Sequence, residues 1–382
     1  MVGRKLLVEG WRGINHSYAM VNQWQILELL RRGLTIRFLD TPFFRQEWNS
    51  RNNSGGFDPA QTTAISELRA PDSDEPVDVT FRIAYPYDFS AARSGRLFVF
   101  GTSEDGVLDG MVRDGLDIAQ ARDNGVHVVT PSAWSQQGFL AYGFEPEEVS
   151  VVPHGIDPAI FRPAAPGDRQ RLRSMLRFGP DDFVLLSLGS MSRNKGVDLL
   201  LRAYAALKPK HPRLRLALKD SADLYGWQGQ GILRTLMAGP HAAAFTEAVL
   251  RDIAFISRNL NIRQMQALYV AADCYVSAYR CEGFNMPPLE AAACGVPIIV
   301  TRGGATDTYF DPCLGQTIES RIIEDGPRRA LEPDLDALIA CIEAAIAAPQ
   351  ATGGAAGSRL VHDRFSWRAV CDTLQDVLFE AC

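Results

Sequence analysis

The chain has 382 residues, a formal net charge of −6, and 46% hydrophobic against 22% charged residues. That length exceeds what one core usually covers, so two domains are expected of an otherwise ordinary globular composition. The acidic balance excludes broad electrostatic binding of nucleic acid, which needs a basic face.

Met1 to Glu9 runs straight into a strand-like LLVEG and is too short for a signal peptide. Lys5 to Glu9 predicts the first strand, followed by the Gly-containing loop GWRGINHS. Ser17 stands where it could cap a helix over Tyr18 to Arg32, which Gly33 ends, and Leu34 to Asp40 reads as the next strand. Asn49 to Gln61 and Pro71 to Asp78, rich in Asn, Ser, Gly, Asp and Pro, predict loops. Strands are predicted over Val79 to Ala84, Arg96 to Phe100 and Val126 to Val129. Ser132 caps a helix that Gly143 terminates, and Val149 to Val152 is a further short strand. Strands alternating with helices imply a parallel sheet covered on both faces.

A break at Asp157 to Asp168, DPAIFRPAAPGD, reads as a linker between domains. The pattern then restarts with strand Phe183 to Leu188, a Gly-containing loop, helix Val197 to Leu207 and strand Leu214 to Leu218. A polar, Gly-rich insertion is expected from Lys219 to about Gly239, then strand Ile253 to Ile256, helix Ile262 to Ala272 and strand Cys274 to Ala278. Leu335 to Ala347 is apolar but carries Asp336 and Glu343 and is too short to span a bilayer. The last helix is expected from about Ser366 to Phe379. The expected division is 1–165 completed by 366–382, and 166–365. The seven cysteines lack Cys-x-x-Cys spacing, so neither zinc nor a disulfide framework is indicated, and several read as small core residues. A cytoplasmic protein is expected, and the run of Arg31, Arg32, Arg37 and Arg45 leaves room for peripheral membrane contact.

The stretch from Cys281 to Thr306, CEGFNMPPLEAAACGVPIIVTRGGAT, carries most information. Glu282 follows an apolar strand, and Glu290 lies in a short Ala-rich helix that stops at Gly295 before a buried strand from Val296 to Thr301. Polar groups at the C-terminal end of a parallel sheet are where open α/β folds bind ligands. Carboxylates there suit a polyhydroxylated ligand, because they accept paired hydrogen bonds from neighbouring hydroxyls. Between strand and helix earlier in this half lies Gly189 to Gly196, GSMSRNKG, whose turn glycines and cations at a helix start form an anion site.

Taken together, these motifs resemble those of retaining glycosyltransferases of the GT-B fold, family-4 type. The resemblance implies two Rossmann-like, doubly wound α/β domains facing each other across a cleft, with the terminal helix crossing back onto the first. It implies transfer of a sugar from a nucleotide-diphosphate sugar, UDP- or GDP-linked, to an acceptor hydroxyl, with no cofactor and no metal. Retention would need no protein nucleophile, since the departing diphosphate takes the acceptor's proton. By the same likeness Lys195 and Glu282 are catalytic, and Glu290 holds the ribose diol. Gly283, Phe284 and Asn285 bind the sugar through backbone N–H groups, and Gly189 and Ser190 complete the donor site. The family has Arg where this chain has Ser190, and Arg193 could supply the missing guanidinium. Acceptor-side candidates are Gly13, Asn15 and His16 in the first loop and His154 in VVPHGID, the last more simply a residue shaping a Gly turn. The alternatives weighed are a phosphorolytic enzyme of the same fold and a sugar-nucleotide-binding subunit without activity. Base contacts are expected around Ile256 to Asn261.

Overall fold

The computed structural model describes residues 3–49, 56–165, 167–349 and 351–380. Two compact units emerge, one of Met1–Gly155, Asp325–Arg328 and Phe365–Cys382, the other of Ile156–Glu324 and Arg329–Arg364. The first therefore ends at Gly155, ahead of the boundary expected at 165. The cause is packing: Phe161 meets the Tyr269 ring at 6.1 Å, and Gln266 Nε2 donates to the Arg162 carbonyl at 3.0 Å, so the linker is built into the second unit.

In the first unit, β1 (Lys5–Gly10), β2 (Thr35–Asp40), β3 (Val79–Ile83), β4 (Arg96–Phe100), β5 (His127–Thr130) and β6 (Val149–Val151) form a sheet in the order β2-β1-β3-β4-β5-β6. All its pairings are parallel, from Leu6 opposite Ile36 to Val128 opposite Val149. Leu6, Leu7 and Val8 are all buried, as expected of a strand covered on both faces. The helix Trp367–Phe379 completes this unit. Ser366 Oγ caps it by accepting from Ala369 N at 3.3 Å, and Val370, Cys371, Leu374 and Leu378 form its buried stripe. Arg32, at the end of the helix Ser17–Arg31, ties to it through Asp372 at 2.8 Å.

In the second unit, β7 (Phe183–Gly189), β8 (Leu214–Asp220), β9 (Ile253–Ile256), β10 (Cys274–Ser277), β11 (Ile298–Thr301) and β12 (Gly315–Ile318) form a parallel sheet ordered β12-β11-β10-β7-β8-β9. The order reverses between β7 and β10, and in the first sheet between β1 and β3. Loops leaving the C-terminal ends of strands at such a reversal diverge and open a crevice, the usual ligand position in doubly wound sheets.

Several expectations are corrected. The helix starts at Ser17 and is capped by His16, whose Nδ1 accepts from Tyr18 N at 3.2 Å, while Ser17 itself is exposed. Of the loop predicted over Asn49 to Gln61, residues 50–55 lie outside the described residues. Its end belongs to a helix, Pro59–Ser66, fixed by an Asp58/Gln61 capping box. The polar insertion after Leu218 instead extends β8 to Asp220 and adds helices Ala222–Tyr225 and Gly229–Met237. A helix Asp168–Met175 and a hairpin of β13 (Ser320–Asp325) and β14 (Arg328–Pro333) were not expected. Among the described residues no helix is long and apolar enough to cross a membrane.

Candidate functional site

The second unit's switch point is lined by two loops, one after β7 and one after β10. At the first, Gly189 takes φ +137°, and a Cβ there would lie 3.5 Å from Lys195 Cε, so the lysine stem runs over the glycine. A tight turn over Arg193–Lys195 ends at Gly196, with φ +64°, where a Cβ would meet the Ala278 carbonyl oxygen at 1.7 Å. Only glycine permits that approach. Gly196→Ala should therefore cost at least about 2 kcal/mol, combining left-handed strain with a backbone clash. Urea unfolding reads it, and an unchanged midpoint would show that the loop can retreat from Ala278.

This close approach stitches the two loops together. The Asn194 carbonyl accepts from Arg280 N at 2.6 Å and from Cys281 N at 3.4 Å. Arg280, 8% exposed, sends Nη1 to the Arg193 carbonyl at 3.0 Å and holds Asp198 with both terminal nitrogens at 2.8 and 3.0 Å. Its Nε reaches Glu332 at 3.3 Å. Such a forked, enclosed guanidinium fixes geometry better than a flexible ammonium. The outcome is that Lys195 Nζ and Glu282 Oε1, far apart in sequence, form an ion pair, with the Glu282 side chain only 6% exposed.

After Glu282 the chain turns inward. Phe284 is buried against Tyr309 at 5.2 Å. Asn285 takes φ +66° and donates from Nδ2 to Ser277 Oγ at 2.9 Å, while its carbonyl accepts from Tyr309 OH at 2.7 Å. The side chains of Phe284 and Asn285 thus hold the turn, whereas Gly283 brings backbone alone. The helix Met286–Ala293 then begins on a proline pair, whose missing N–H groups would be unbonded there anyway. It carries Glu290, whose Oε2 accepts from Tyr269 OH at 2.5 Å. Glu290 keeps part of its surface open, but burial of the carboxyl raises its pKa to about 7, partly offset by the Tyr269 hydrogen bond.

Ser190 is partly buried, and its carbonyl accepts from Ser192 N at 2.8 Å. Arg193 is exposed. Its carbonyl is engaged by Arg280, and its guanidinium makes no ion pair among the described residues. The fold thus does not lock Arg193 into the role expected of it.

Three of the first unit's candidates lie in the loop after β1, and the fourth follows β6. Gly13 takes φ +77° and donates its N–H to Gln23 Oε1 at 3.1 Å. Asn15 is partly buried. The His16 ring lies 5.0 Å from both Trp11 and Trp48, and burial lowers its pKa to about 4, so it is neutral at pH 7. His154 is buried at 5.6 Å from the Phe100 ring, with its pKa lowered to about 3 by burial. That placement fits a neutral core histidine better than a base. Among the described residues no group of three or more His, Cys, Asp or Glu could hold a metal ion.

Sequence reasoning missed Arg280, which followed an apolar strand and gave no local sign of its partners. It also missed Tyr269, whose hydroxyl reaches Glu290 from another helix.

Residues 168–312 match the family model described as glycosyl transferases group 1. A D-inositol 3-phosphate glycosyltransferase of Segniliparus rotundus is 30% identical over 234 residues, 61% of this chain and 47% of that protein. A mannosylfructose-phosphate synthase of Agrobacterium fabrum is 32% identical over 163 residues, 43% of this chain and 34% of that protein. The chain thus spans about half or less of the length of these relatives. Sucrose-phosphate synthase from Thermosynechococcus elongatus superposes with a TM-score of 0.68 at 16% identity, covering 98% of both chains. HepE from Anabaena, solved in complex with UDP, gives 0.66 at 15% identity, covering 98% of this chain and 99% of that one. With its two parallel sheets the chain has the GT-B fold, and its residues 168–312 are similar to the glycosyl transferases group 1 family.

Proposed function

We propose that this protein is a retaining, metal-independent glycosyltransferase, moving a sugar from a nucleoside-diphosphate sugar to an acceptor hydroxyl. The observation that carries this reading is the Lys195–Glu282 pair at the switch point of the second sheet, with Glu290 on the helix that follows. A diphosphate entering beside Gly189 draws Lys195 toward its oxygens. Glu282, released from that pair, accepts hydroxyls of the sugar, and Glu290 accepts from the ribose diol. The bond from the anomeric carbon to the diphosphate oxygen breaks while a bond to the acceptor oxygen forms on the same face. The acceptor's proton passes to the leaving phosphate oxygen, so no protein nucleophile is consumed. Lys195 stabilises the negative charge that grows as the diphosphate leaves.

The donor's nucleotide is read as UDP or GDP, and UDP gains weight from the complex of the similar fold. The relatives are named a D-inositol 3-phosphate glycosyltransferase and a mannosylfructose-phosphate synthase, which makes small phosphorylated polyols and sugars the first acceptors to try. The loop holding Gly13, Asn15 and His16 is the acceptor-side candidate of the first unit. The six described cysteines are free thiols, which suits a reducing, cytoplasmic compartment.

Thermal shift against UDP, GDP, ADP and phosphate, with and without Mg2+, tests the reading. At a hundred times Kd a nucleotide bound only by the folded state adds about 2.7 kcal/mol, a rise in Tm of several degrees. We expect one nucleoside diphosphate to give that shift without Mg2+ and Glu290→Ala to abolish it. Stabilisation by phosphate alone would instead favour a phosphorolytic enzyme, and a nucleotide shift without any transfer would favour an inactive binding subunit.

A further inference from the structure

The linker segment that packs into the second unit borders a cavity of about 160 Å3, which none of the donor-site candidates lines. Ile160, Pro163 and Leu172 give it apolar walls, and Arg162 and Arg263 bring two cations to it from separate elements. The backbone at both arginines is fixed. Asn261 and Gln264 form a capping box at the start of the helix Ile262–Ala271, which carries Arg263 in its first turn. One turn further on, Gln266 Nε2 donates to the Arg162 carbonyl at 3.0 Å. The preceding carbonyl, of Phe161, lies 2.8 Å from His362 Nε2.

Neither guanidinium is used by the fold. Both arginines are exposed, and neither side chain forms an ion pair or hydrogen bond among the described residues. Arg169 and Arg173, on the neighbouring helix Asp168–Met175, differ in this respect, since both engage Asp273. The carboxylates nearby are already held. Asp168, which also lines the cavity, pairs with Arg171 at 3.0 Å, and Asp157 Oδ1 accepts from Ala159 N at 2.8 Å. Two like charges on one small cavity repel each other, and an anion between them removes that cost. A guanidinium presents its donors as a planar fork that matches phosphate oxygens, and a tetrahedral dianion can accept from two forks at once. The cavity is smaller than the pockets that enclose drug-sized ligands, which limits the occupant to a small group.

We propose that this cavity is a second anion site, which takes a phosphoryl group, either free phosphate or the phosphate end of a small metabolite. It uses none of Lys195, Glu282 and Glu290, so it stands or falls apart from the transferase reading. It also bears on how phosphate stabilisation is read. Phosphate held by Arg162 and Arg263 raises the melting temperature without entering the donor crevice.

The test is calorimetric titration of the full chain with inorganic phosphate and with glycerol 3-phosphate, at constant ionic strength. The arginines are exposed and solvent screens them, so a Kd on the order of 1 mM is expected of the wild type. Arg162→Gln and Arg263→Gln should each weaken it by about tenfold, the loss of one charge-assisted contact, and the double variant should give no measurable heat. Lys195→Ala should bind phosphate within about twofold of the wild type. Equal affinity for the two ligands supports a site that reads the phosphoryl group alone. Tighter binding of the ester supports one that also holds the attached polyol. Unchanged affinity in the double variant overturns the assignment, as does a loss that follows Lys195→Ala instead, which places the phosphate in the donor crevice. A wild type that binds neither ligand at about ten times the expected Kd overturns it as well. If either arginine variant does not fold, wild-type crystals soaked with phosphate decide. Phosphate oxygens within hydrogen-bond reach of both guanidinium groups support the proposal, and a cavity without phosphate overturns it.

Discussion

Lys195→Ala should lower turnover by roughly 10²- to 10³-fold, the usual cost of losing one donor to a charge that develops in the transition state. The KM for the donor should change far less, because the intact diphosphate already carries its charge and the gain comes as the glycosidic bond lengthens. Stability complicates the reading. Lys195 is paired with Glu282, whose side chain is almost fully enclosed, so removing the ammonium strands a carboxylate. The single variant should therefore melt earlier than the wild type. Lys195→Ala combined with Glu282→Gln removes both charges and should recover much of the lost stability while staying slow. Steady-state kinetics and melting curves of the two proteins separate the effects. Equal turnover in wild type and Lys195→Ala would remove the lysine from the chemistry. Recovery of turnover in the double variant would mean that the single variant's defect was one of folding.

The sheets could be read from the sequence because their strands carry their own instruction. Runs such as Phe183–Gly189 and Ile298–Thr301 are apolar on both faces and bounded by turn residues, which is sufficient to place buried parallel strands. Lys195 and Glu282 could be proposed because each stands in a local motif at a strand end. Their pairing could not, because it depends on Gly196 letting the Ala278 carbonyl approach and on Arg280 reaching across to Arg193 and Asp198. An arginine after an apolar strand gives no local sign of three partners from different elements. The hairpin was a missed signal of another kind. Gly326 and Pro327 make the two-residue turn, but Ile322 and Ile323 stay substantially exposed, so the flanking strand lacks the alternation that would have flagged it. At the first helix, Ser17 was the better cap by type, and His16 took the place because its ring is packed between Trp11 and Trp48.

Glu290→Gln should raise stability above neutral pH while destroying nucleotide binding. The carboxyl's pKa is raised from 4.5 to about 7 by burial, so the folded state holds the proton more tightly than the unfolded chain. Between those two values the folded protein binds more protons, and stability falls as pH rises through that window. Below about pH 4.5 the group is protonated in both states and costs nothing, whereas above about pH 7 the full penalty of an enclosed charge is present. Glutamine cannot ionise, and its carbonyl can still accept from Tyr269 OH. The variant should therefore match the wild type near pH 4.5 and melt later at about pH 8, by on the order of 2–4 °C. A difference in Tm that does not change with pH would show that Glu290 does not titrate as its surroundings imply. The same carboxylate, once ionised, is the better acceptor for a pair of ribose hydroxyls, so nucleotide affinity in the wild type should rise as pH passes through 7. In Glu290→Gln both that rise and most of the affinity should be absent. A destabilising carboxylate in the middle of a largely buried helix is then accounted for by what it binds. Gain of stability and loss of nucleotide from one substitution would mark Glu290 as a residue kept for its ligand rather than for the fold.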